Sequence, residues 1–295
     1  MLTADDGRDE AVAGCAYVLH VASPLGAAGP RDKDALLEPA RGGALRVLAA
    51  ADRAGVRRVV MTSACAAAAP PMSGPDGTTD ECVWSDPDDP SMTAYRRSKV
   101  VAERAAWDFA SGRDGGTALT TVPPGAAFGP VLSTDNLGRV QIIGRMLEGR
   151  VPGTPRVGRE VDVRDLADTH VRAMGSPEAA GERLIAAGDF LWMSEVAQAL
   201  RDGLSRAARR TPTRRLPDLA LRIAAHFDPA PRSVRPMLGH KHLHSSAKAE
   251  RLPARRARPA AETVAACAQD LVAKGAVRVR PAAGRVTAAP QTRPP

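Results

Sequence analysis

The chain has 295 residues, of which 44% are hydrophobic and 25% are charged, and these proportions are typical of a globular protein. This length can bury one large core or two lobes. The net charge of +8 is compatible with nucleic-acid binding, but only 3% of the residues are aromatic, so surfaces on which bases could stack are scarce. We therefore expect no nucleic-acid partner, and a basic surface that attracts small anionic ligands.

Cysteine usage and hydropathy indicate the compartment. No two of the cysteines have C-x-x-C spacing, which favours reduced thiols in the cytosol. No apolar run reaches the length of a membrane span, and residues 1–20 lack the pattern of a signal peptide. The sequence therefore predicts a cytoplasmic protein without a membrane partner, and it leaves the oligomeric state open. The four cysteines are Cys15, Cys65, Cys82 and Cys267.

Strands and helices alternate along the first half of the chain, which predicts a parallel sheet covered by helices. The predicted elements are a helix over residues 5–14, a strand over 16–22, a helix over 36–54, a strand over 56–62, a long loop over 66–90, a helix over 91–110 and a strand over 118–122. Pro123-Pro124-Gly125 ends the last of these strands.

The second half of the chain is mainly helical and is interrupted by prolines, which predicts a smaller second lobe. The predicted elements are a helix over residues 141–149, a short strand over 160–163, and helices over 164–174, 194–204, 217–226 and 260–274. The helix over 164–174 is amphipathic, with Leu166, Ala167, His170 and Val171 on one face. We expect residues 279–295, which are rich in proline, to be a disordered tail.

Tyr95 and Lys99 are the strongest candidates for catalytic residues. They lie four residues apart on the predicted helix that follows Asp88-Asp89-Pro90-Ser91, so the phenol and the ammonium share one face. An ammonium near a phenol favours the phenolate, which lets Tyr95 exchange a proton near neutral pH. The spacing alone recurs by chance, and the alternative is an exposed helical face with a half-buried tyrosine. Its place after a buried strand and a small-residue loop, residues 56–63, favours the acid–base chemistry of a carbonyl reductase.

Six short segments, in this order and spacing, resemble those of a known family. They are Ala16-Tyr-Val-Leu-His-Val-Ala-Ser-Pro24, Glu38-Pro-Ala-Arg-Gly-Gly-Ala44, Arg57-Arg-Val-Val-Met-Thr-Ser63, Thr93-Ala-Tyr-Arg-Arg-Ser-Lys99 with Ala102-Glu103, Gly125-Ala-Ala-Phe-Gly-Pro130 and Val161-Asp-Val-Arg-Asp-Leu-Ala167. From Leu2 to residue 275 the chain resembles the extended short-chain dehydrogenases/reductases of the NAD-dependent epimerase/dehydratase group. Within that group it is similar to the dihydroflavonol-reductase-like aldehyde and ketone reductases.

The resemblance implies a fold class and a division into domains. The implied fold is α/β, a Rossmann-type doubly wound parallel sheet that lacks its first strands, with a smaller, mostly helical substrate lobe. The truncated NAD(P)-binding domain would comprise residues 1–124 and 158–190. The substrate lobe would comprise residues 125–157 and 191–278, and the disordered tail residues 279–295.

The resemblance also implies a reaction and a cofactor. The reaction would be reduction of a small aldehyde or ketone with NADP or NAD, NADPH being slightly favoured, and no metal is implied. Tyr95 would protonate the carbonyl oxygen, while Lys99 would lower the tyrosine pKa and hold the nicotinamide ribose. The implied cofactor-binding residues are His20, Ala22, Ser23, Thr62, Ser63, Tyr95, Lys99, Pro124 and Gly125.

The sequence departs from the family pattern at its start. No glycine-rich turn of the form G-x-x-G-x-x-G or G-x-G-x-x-G, which would seat the cofactor pyrophosphate on a helix N-terminus, precedes Tyr17-Val-Leu19. Residues 1–6 resemble the stretch just after the family's third strand, so we expect about three strands and two helices to be missing. The predicted strand over 16–22 would then expose an apolar edge, and the chain would bind NAD(P)H weakly and be poorly soluble.

A second departure lies in the loop that follows the strand over 56–62. The family pattern there is Thr-Ser-Ser, whose last serine hydrogen-bonds the substrate carbonyl, whereas this chain has Thr62-Ser63-Ala64-Cys65. Loss of one such donor costs about 10²–10³ in rate. Ser63 or the weak donor Cys65 could substitute in part, and we expect reduced activity.

Two functional alternatives to an impaired reductase stay open. The missing glycine-rich turn and Ala64 favour a non-catalytic relic or binding protein of the same fold. Nucleotide-sugar epimerases and dehydratases share the framework, so the reaction type is less constrained than the family.

Three further clusters have both a functional and a structural interpretation. His240-Lys-His-Leu-His244 could hold a metal, but a solvated turn is favoured because no carboxylate or cysteine is adjacent in sequence. An arginine cluster could bind phosphates, although a charged loop between helices is favoured; its members are Arg206, Arg209, Arg210, Arg214 and Arg215. Asp162, Arg164 and Asp165 could be catalytic, and by family resemblance they are structural ion pairs between the lobes.

Overall fold

A computed structural model gives the arrangement of most of the chain. It describes residues 2–24, 34–72, 74–113, 116–135, 137–156, 158, 161–227, 234–252 and 257–278. The predicted tail over residues 279–295 lies outside these described residues, as does Glu160 of the predicted strand over 160–163.

The predicted alternation of strands and helices is present. In chain order the elements are α1 (Arg8–Val12), β1 (Tyr17–His20), α2 (Leu37–Arg53), β2 (Arg58–Thr62), β3 (Gly77–Thr79), α3 (Ala94–Ser111), β4 (Ala118–Val122), β5 (Ala127–Phe128), α4 (Gln141–Leu147), β6 (Val161–Asp162), α5 (Val163–Gly175), α6 (Met193–Leu204), α7 (Asp218–Phe227), β7 (His242–His244), α8 (Ala247–Glu250) and α9 (Ala260–Ala273). Left-handed glycines follow two of the predicted helices where L-residues would be strained, Gly55 with φ 67° and Gly275 with φ 66°.

A three-stranded parallel sheet in the order β1-β2-β4 forms the centre of the fold. The register sets His20 opposite Met61 and Thr62 opposite Val122, so the carboxyl ends of the strands share one edge. Residues 183–186 continue the sheet beyond β4 through isolated parallel bridges. Among the described residues β1 pairs only with β2, and its Leu19 side chain is 41% exposed.

Helices cover both faces of the sheet, which confirms the doubly wound arrangement. Successive side chains of a strand point to opposite faces. Val59 and Met61 therefore pack with α2 and α3, whereas Val60 packs with Ala173 of α5 on the other face. The continuous apolar run of β2 fits this arrangement, because helices cover both of its faces. Val59 and Val60 are fully buried.

A second hydrophobic core lies among α4, α6 and α9, and it gives the predicted, mostly helical second lobe. Its centre is formed by large apolar side chains such as Ile143, Met146, Leu200 and Leu271. The boundaries that the sequence suggests for the two lobes stay a prediction. No helix among the described residues combines the length and apolarity that a membrane crossing requires.

Ion pairs join α5 to the segment around α9. Asp162 caps α5 by accepting from the Arg164 backbone N–H at 2.8 Å, and it also accepts from the Thr263 hydroxyl of α9 at 2.8 Å. The Arg164 guanidinium holds the pKa of Asp162 below its usual value, against the opposing effect of burial. Asp165 pairs with Arg258. These contacts have the structural role that the family resemblance implies for them.

The start of α3 differs from the prediction. The helix begins at Ala94, and its cap is Thr93, whose hydroxyl accepts from the Arg96 backbone N–H at 3.3 Å. Ser91 does not cap it, because both its backbone N–H and its hydroxyl donate to the Asp89 carboxylate in a preceding turn. Tyr95 therefore lies in the first turn of the helix.

The predicted apolar face of α5 is wrong in part. Val171 is 54% exposed and Ala167 is also exposed, whereas Thr169 and His170 are buried. The helix tolerates these polar side chains in the interior because both are hydrogen-bonded, the Thr169 hydroxyl to the Asp165 carbonyl and His170 to the Leu166 carbonyl.

The predicted solvated turn at the histidines is also wrong. Residues 242–244 form β7, which pairs in parallel with β3 from the loop over residues 66–90. His242 is only 3% exposed, and Thr79 bonds the His244 Nδ1 at 2.8 Å. A short two-stranded sheet therefore ties that loop to the second lobe.

Candidate active site

The sequence-predicted cofactor residues gather at the carboxyl edge of the sheet. His20 ends β1 and Thr62 ends β2, while Pro124 and Gly125 follow β4. Ala22, exposed, and Ser23, half-buried, continue from β1. In open α/β sheets ligands bind in the crevice outside the carboxyl ends of the strands, so these residues lie where a ligand can bind.

Helix α3 brings Tyr95 and Lys99 together on one face. The Lys99 ammonium lies 5.9 Å from the centre of the Tyr95 ring. Lys99 is 5% exposed, and burial lowers its pKa to about 8, while the nearby Glu103 carboxylate acts in the opposite direction. Lys99 is therefore mostly charged at neutral pH, which is the state that favours a neighbouring phenolate.

His20 is a buried, neutral histidine close to Lys99. Burial, together with the positive charges of Lys99 and Arg8, lowers its pKa to about 4. The imidazole therefore places no charge beside Lys99 at neutral pH. It is 7% exposed and forms part of the floor beneath the carboxyl edge.

The Thr62 hydroxyl is oriented by a histidine that the sequence did not single out as a site residue. It lies 2.6 Å from His170 Nε2, and His170 Nδ1 lies 2.8 Å from the Leu166 carbonyl oxygen. A carbonyl can only accept, so Nδ1 carries the proton and Nε2 accepts from Thr62. Burial lowers the pKa of His170, which is consistent with this neutral tautomer.

The loop after β2 has no spare side-chain donor at the position of Ala64. The Ser63 hydroxyl donates to Glu103 at 2.6 Å, and the Cys65 thiol donates to the Pro123 carbonyl at 3.5 Å. Ser63 is 2% exposed, and its backbone N–H donates to the Val122 carbonyl at 2.9 Å, so neither of its donors is available to the cofactor that it was predicted to line. The contacts of Ser63 and Cys65 therefore do not support either residue as a substitute for the missing serine.

Glu103 and Arg183 form a buried ion pair behind this loop. The Arg183 Nε donates to the Glu103 Oε1 at 2.9 Å, and both side chains are almost inaccessible. Glu103 was visible in the sequence only as part of a family segment. Arg183 lies 80 positions away, and no local pattern indicated it.

A cavity of about 310 Å³ lies beside the segment that follows β5. Its lining is mainly apolar and includes Phe128, Val131, Leu137 and Val163. Ser133 and Asp135 are the polar side chains in it.

The family model for the NAD dependent epimerase/dehydratase family matches residues 1–188. The chain belongs to this family. Cinnamoyl-CoA reductase 1 from Petunia hybrida is 37% identical over 195 residues, which are 65% of this chain and 56% of the petunia protein. Ketoreductase azaE from Aspergillus niger is 33% identical over 234 residues, which are 72% of this chain and 68% of that protein.

Two solved structures have the same fold. Yeast methylglyoxal/isovaleraldehyde reductase Gre2 complexed with NADPH superposes with a TM-score of 0.73 at 23% identity, over 92% of this chain and 81% of the yeast chain. The crystal structure of gox2253 gives a TM-score of 0.77 at 22% identity, over 94% and 84% of the two chains. The family resemblance and the Rossmann-type fold predicted from the sequence are thus confirmed. The chain spans about half the length of the curated cinnamoyl-CoA reductases it matches, 56% and 51% for the petunia and Arabidopsis thaliana proteins.

The two other predicted clusters do not join this family site. Asp76, from the loop over residues 66–90, lies 3.6 Å from His240, but within the described ranges no three histidine, cysteine or acidic side chains converge as metal ligands would. The arginine cluster lies in the exposed connection between α6 and α7.

Proposed function

We propose that this protein is an NAD(P)-dependent reductase of small aldehydes or ketones. The observation that carries the proposal is the buried ammonium of Lys99 beside Tyr95 on α3, at the carboxyl edge of a parallel sheet. The reductases among its relatives support this reaction class over other chemistries of the family.

The donors at the carboxyl edge fit the nicotinamide end of the cofactor. A buried ammonium with three donors suits the ribose hydroxyls, so Lys99 would hold them, with His20, Thr62, Pro124 and Gly125 around the ring. When bound, NADPH or NADH supplies the hydride that reduces the carbonyl carbon. The 295 residues offer no glycine-rich turn ahead of β1 for the pyrophosphate.

Tyr95 and Lys99 divide the acid–base work. The Tyr95 hydroxyl gives its proton to the substrate carbonyl oxygen, which leaves a phenolate. The Lys99 ammonium stabilises that phenolate and keeps the hydroxyl acidic enough to react near neutral pH. Ala64 leaves the carbonyl oxygen without the further donor of the family, so we propose that turnover is slow.

Further features of the proposal follow from the relatives and the sequence. We favour NADPH over NADH because the structural neighbour Gre2 was crystallised with NADPH. The mainly apolar cavity beside β5 would receive the apolar part of a small carbonyl substrate. We propose a cytoplasmic location from the cysteine pattern.

Two alternatives are tested by the same experiment. The first is a non-catalytic binding protein, favoured by Ala64, and the second is a nucleotide-sugar epimerase or dehydratase, favoured by the family description. The purified chain is incubated with NADPH and, separately, an aldehyde, a ketone and cinnamoyl-CoA, or with NAD and a UDP-sugar. A parallel set uses "the extended protein", in which the N-terminal residues of the Aspergillus niger ketoreductase ahead of the matched segment are joined before Met1.

The outcomes separate the three functions. NADPH consumption that requires a carbonyl compound supports the reductase. Conversion of the UDP-sugar without net cofactor consumption supports the epimerase or dehydratase. NADPH binding by calorimetry without any turnover in the extended protein supports the binding protein and contradicts our proposal.

A further inference from the structure

We propose that Glu103 and Arg183 are a positioning pair, in which the Glu103 carboxylate keeps Lys99 in its ammonium form and Arg183 fixes the loop between β2 and α3 against the catalytic helix. The inference rests on the proposed function, because it assigns these residues a role in the same Tyr95–Lys99 site.

The Glu103 carboxylate is completely enclosed and fully hydrogen-bonded. Its Oε1 accepts from the Thr121 hydroxyl at 2.7 Å and from Arg183 Nε at 2.9 Å. Its Oε2 accepts from the Ser63 hydroxyl at 2.6 Å and from Arg183 Nη2 at 3.2 Å. Four donors therefore satisfy both oxygens of this buried carboxylate, and two of the four belong to the Arg183 guanidinium.

Arg183 uses its remaining donors on the loop that precedes α3. Nη1 donates to the Glu81 carbonyl at 3.0 Å and the Val83 carbonyl at 2.6 Å, and Nη2 donates to the Ala67 carbonyl at 2.8 Å. Its guanidinium also stacks 3.8 Å from the centre of the Trp84 ring. The arginine therefore joins both ends of the loop over residues 66–90 to α3 and to the sheet.

A buried ion pair of this kind is weak support for stability alone. Desolvation of both ions offsets their attraction, and well-packed apolar substitutes are often as stable. The pair instead delivers a fixed negative charge one helical turn from Lys99, since residues four apart share a helix face. This placement gives the carboxylate an electrostatic effect on the catalytic lysine.

The titratable groups that the described residues place near Lys99 include Glu103, Tyr95 and His20. Glu103 and Tyr95 lie on its own helix, and His20 faces it from the end of β1 with a pKa near 4, so that it is neutral. Burial lowers the pKa of Lys99 to about 8, and among the charges acting on it Glu103 is the one that raises it. Arg183 would act on Lys99 through the Glu103 carboxylate that it holds.

Titration of Lys99 in the purified 295-residue chain tests the pair without any turnover. The sequence contains only five lysines, so the ¹³Cε signals of labelled lysine can be resolved, and Lys99→Arg assigns the one of interest. Glu103→Gln should lower the apparent pKa of Lys99 by about one unit or more, a tenfold loss of proton affinity. Thr121→Val removes one hydrogen bond from the same carboxylate without changing its charge, and it should leave the pKa of Lys99 unchanged.

A second variant covers the case in which Glu103→Gln does not fold. Replacing both ions, in Glu103→Leu/Arg183→Met, removes the buried charges together and avoids an unpaired ion. It should also lower the pKa of Lys99, because it removes the carboxylate that raises that pKa. The proposal is overturned if Lys99 has the same pKa in the folded variants as in the parent. It is also overturned if Thr121→Val lowers the pKa of Lys99 as much as Glu103→Gln does. A lowered Lys99 pKa in Glu103→Gln, together with an extended protein that has no reductase activity, would reject the proposed function and leave the pair intact.

Discussion

Placing a hydrogen-bond donor at position 64 should raise the proposed reductase activity of this protein. Ala64 has extended backbone angles, φ −159° and ψ 149°, which serine adopts without strain. The substitution adds one hydroxyl to an existing Cβ at a position that is 8% exposed. It therefore changes the site by a single donor and little else.

The size of the expected gain follows from the contacts of the neighbouring residues. Ser63 is committed to Glu103 and Cys65 to the Pro123 carbonyl, so neither supplies the donor in the parent. One preorganised donor to a developing oxyanion is worth about 10²–10³ in rate. We therefore expect an increase in kcat/KM of about one to three powers of ten.

The assay is NADPH consumption with an aldehyde or ketone, measured on the extended protein so that cofactor binding does not limit the rate. Ala66→Ser is the matched control. Ala66 is 7% exposed and lies two residues further along the same loop, so it accepts a hydroxyl of the same size. An unchanged kcat/KM for Ala64→Ser, or an equal gain for Ala66→Ser, would refute the assignment of position 64 as the missing donor.

Three other predictions address the site. Tyr95→Phe in the extended protein should abolish reduction while NADPH affinity by calorimetry stays nearly the same, because only the proton donor is lost; retention of half the activity would remove Tyr95 from the mechanism. His20 has a pKa of about 4 in the folded protein and of 6.5 in the unfolded chain. The unfolded chain therefore binds a proton first, and the free energy of unfolding falls as the pH drops from 6.5 to 4. His20→Gln should remove about 3 kcal/mol of that acid loss in denaturant titrations, and an unchanged pH slope would contradict it. The 295-residue chain without extension should bind NADPH no tighter than about millimolar, because it offers the pyrophosphate no glycine-rich turn; a micromolar Kd from a monomer would overturn this.

The fold could be predicted from the sequence because its main elements carry local signals. The apolar run before Thr62 predicts the position of β2 closely, and Gly55 predicts where α2 ends. The spacing of Tyr95 and Lys99 placed both on one helix face before any contact was known. These features depend on residues a few positions apart, which is the range over which periodicity and capping act.

Long-range pairings were missed because nothing local encodes them. β3 and β7 have three residues each, and their partner is set by the path of the loop over residues 66–90. The histidines of β7 therefore looked like a solvated turn. Val171 on α5 is an error of the opposite kind. Its periodicity predicts a core residue, but the packing of α5 leaves its side chain exposed.

The loop that follows β2 shows why the candidate site was harder to predict than the fold. Ser63 and Cys65 could each have replaced the missing serine on sequence grounds, and only their partners decide the matter. Ser63 is held by Glu103, which is held by Arg183 on a segment that follows α5. A donor already bound to a buried carboxylate would leave that carboxylate unsatisfied if it turned to the substrate, at the cost of a charged hydrogen bond. The same network that fixes Lys99 as an ammonium thus withholds Ser63 from the substrate, and position 64 is where a new donor can act.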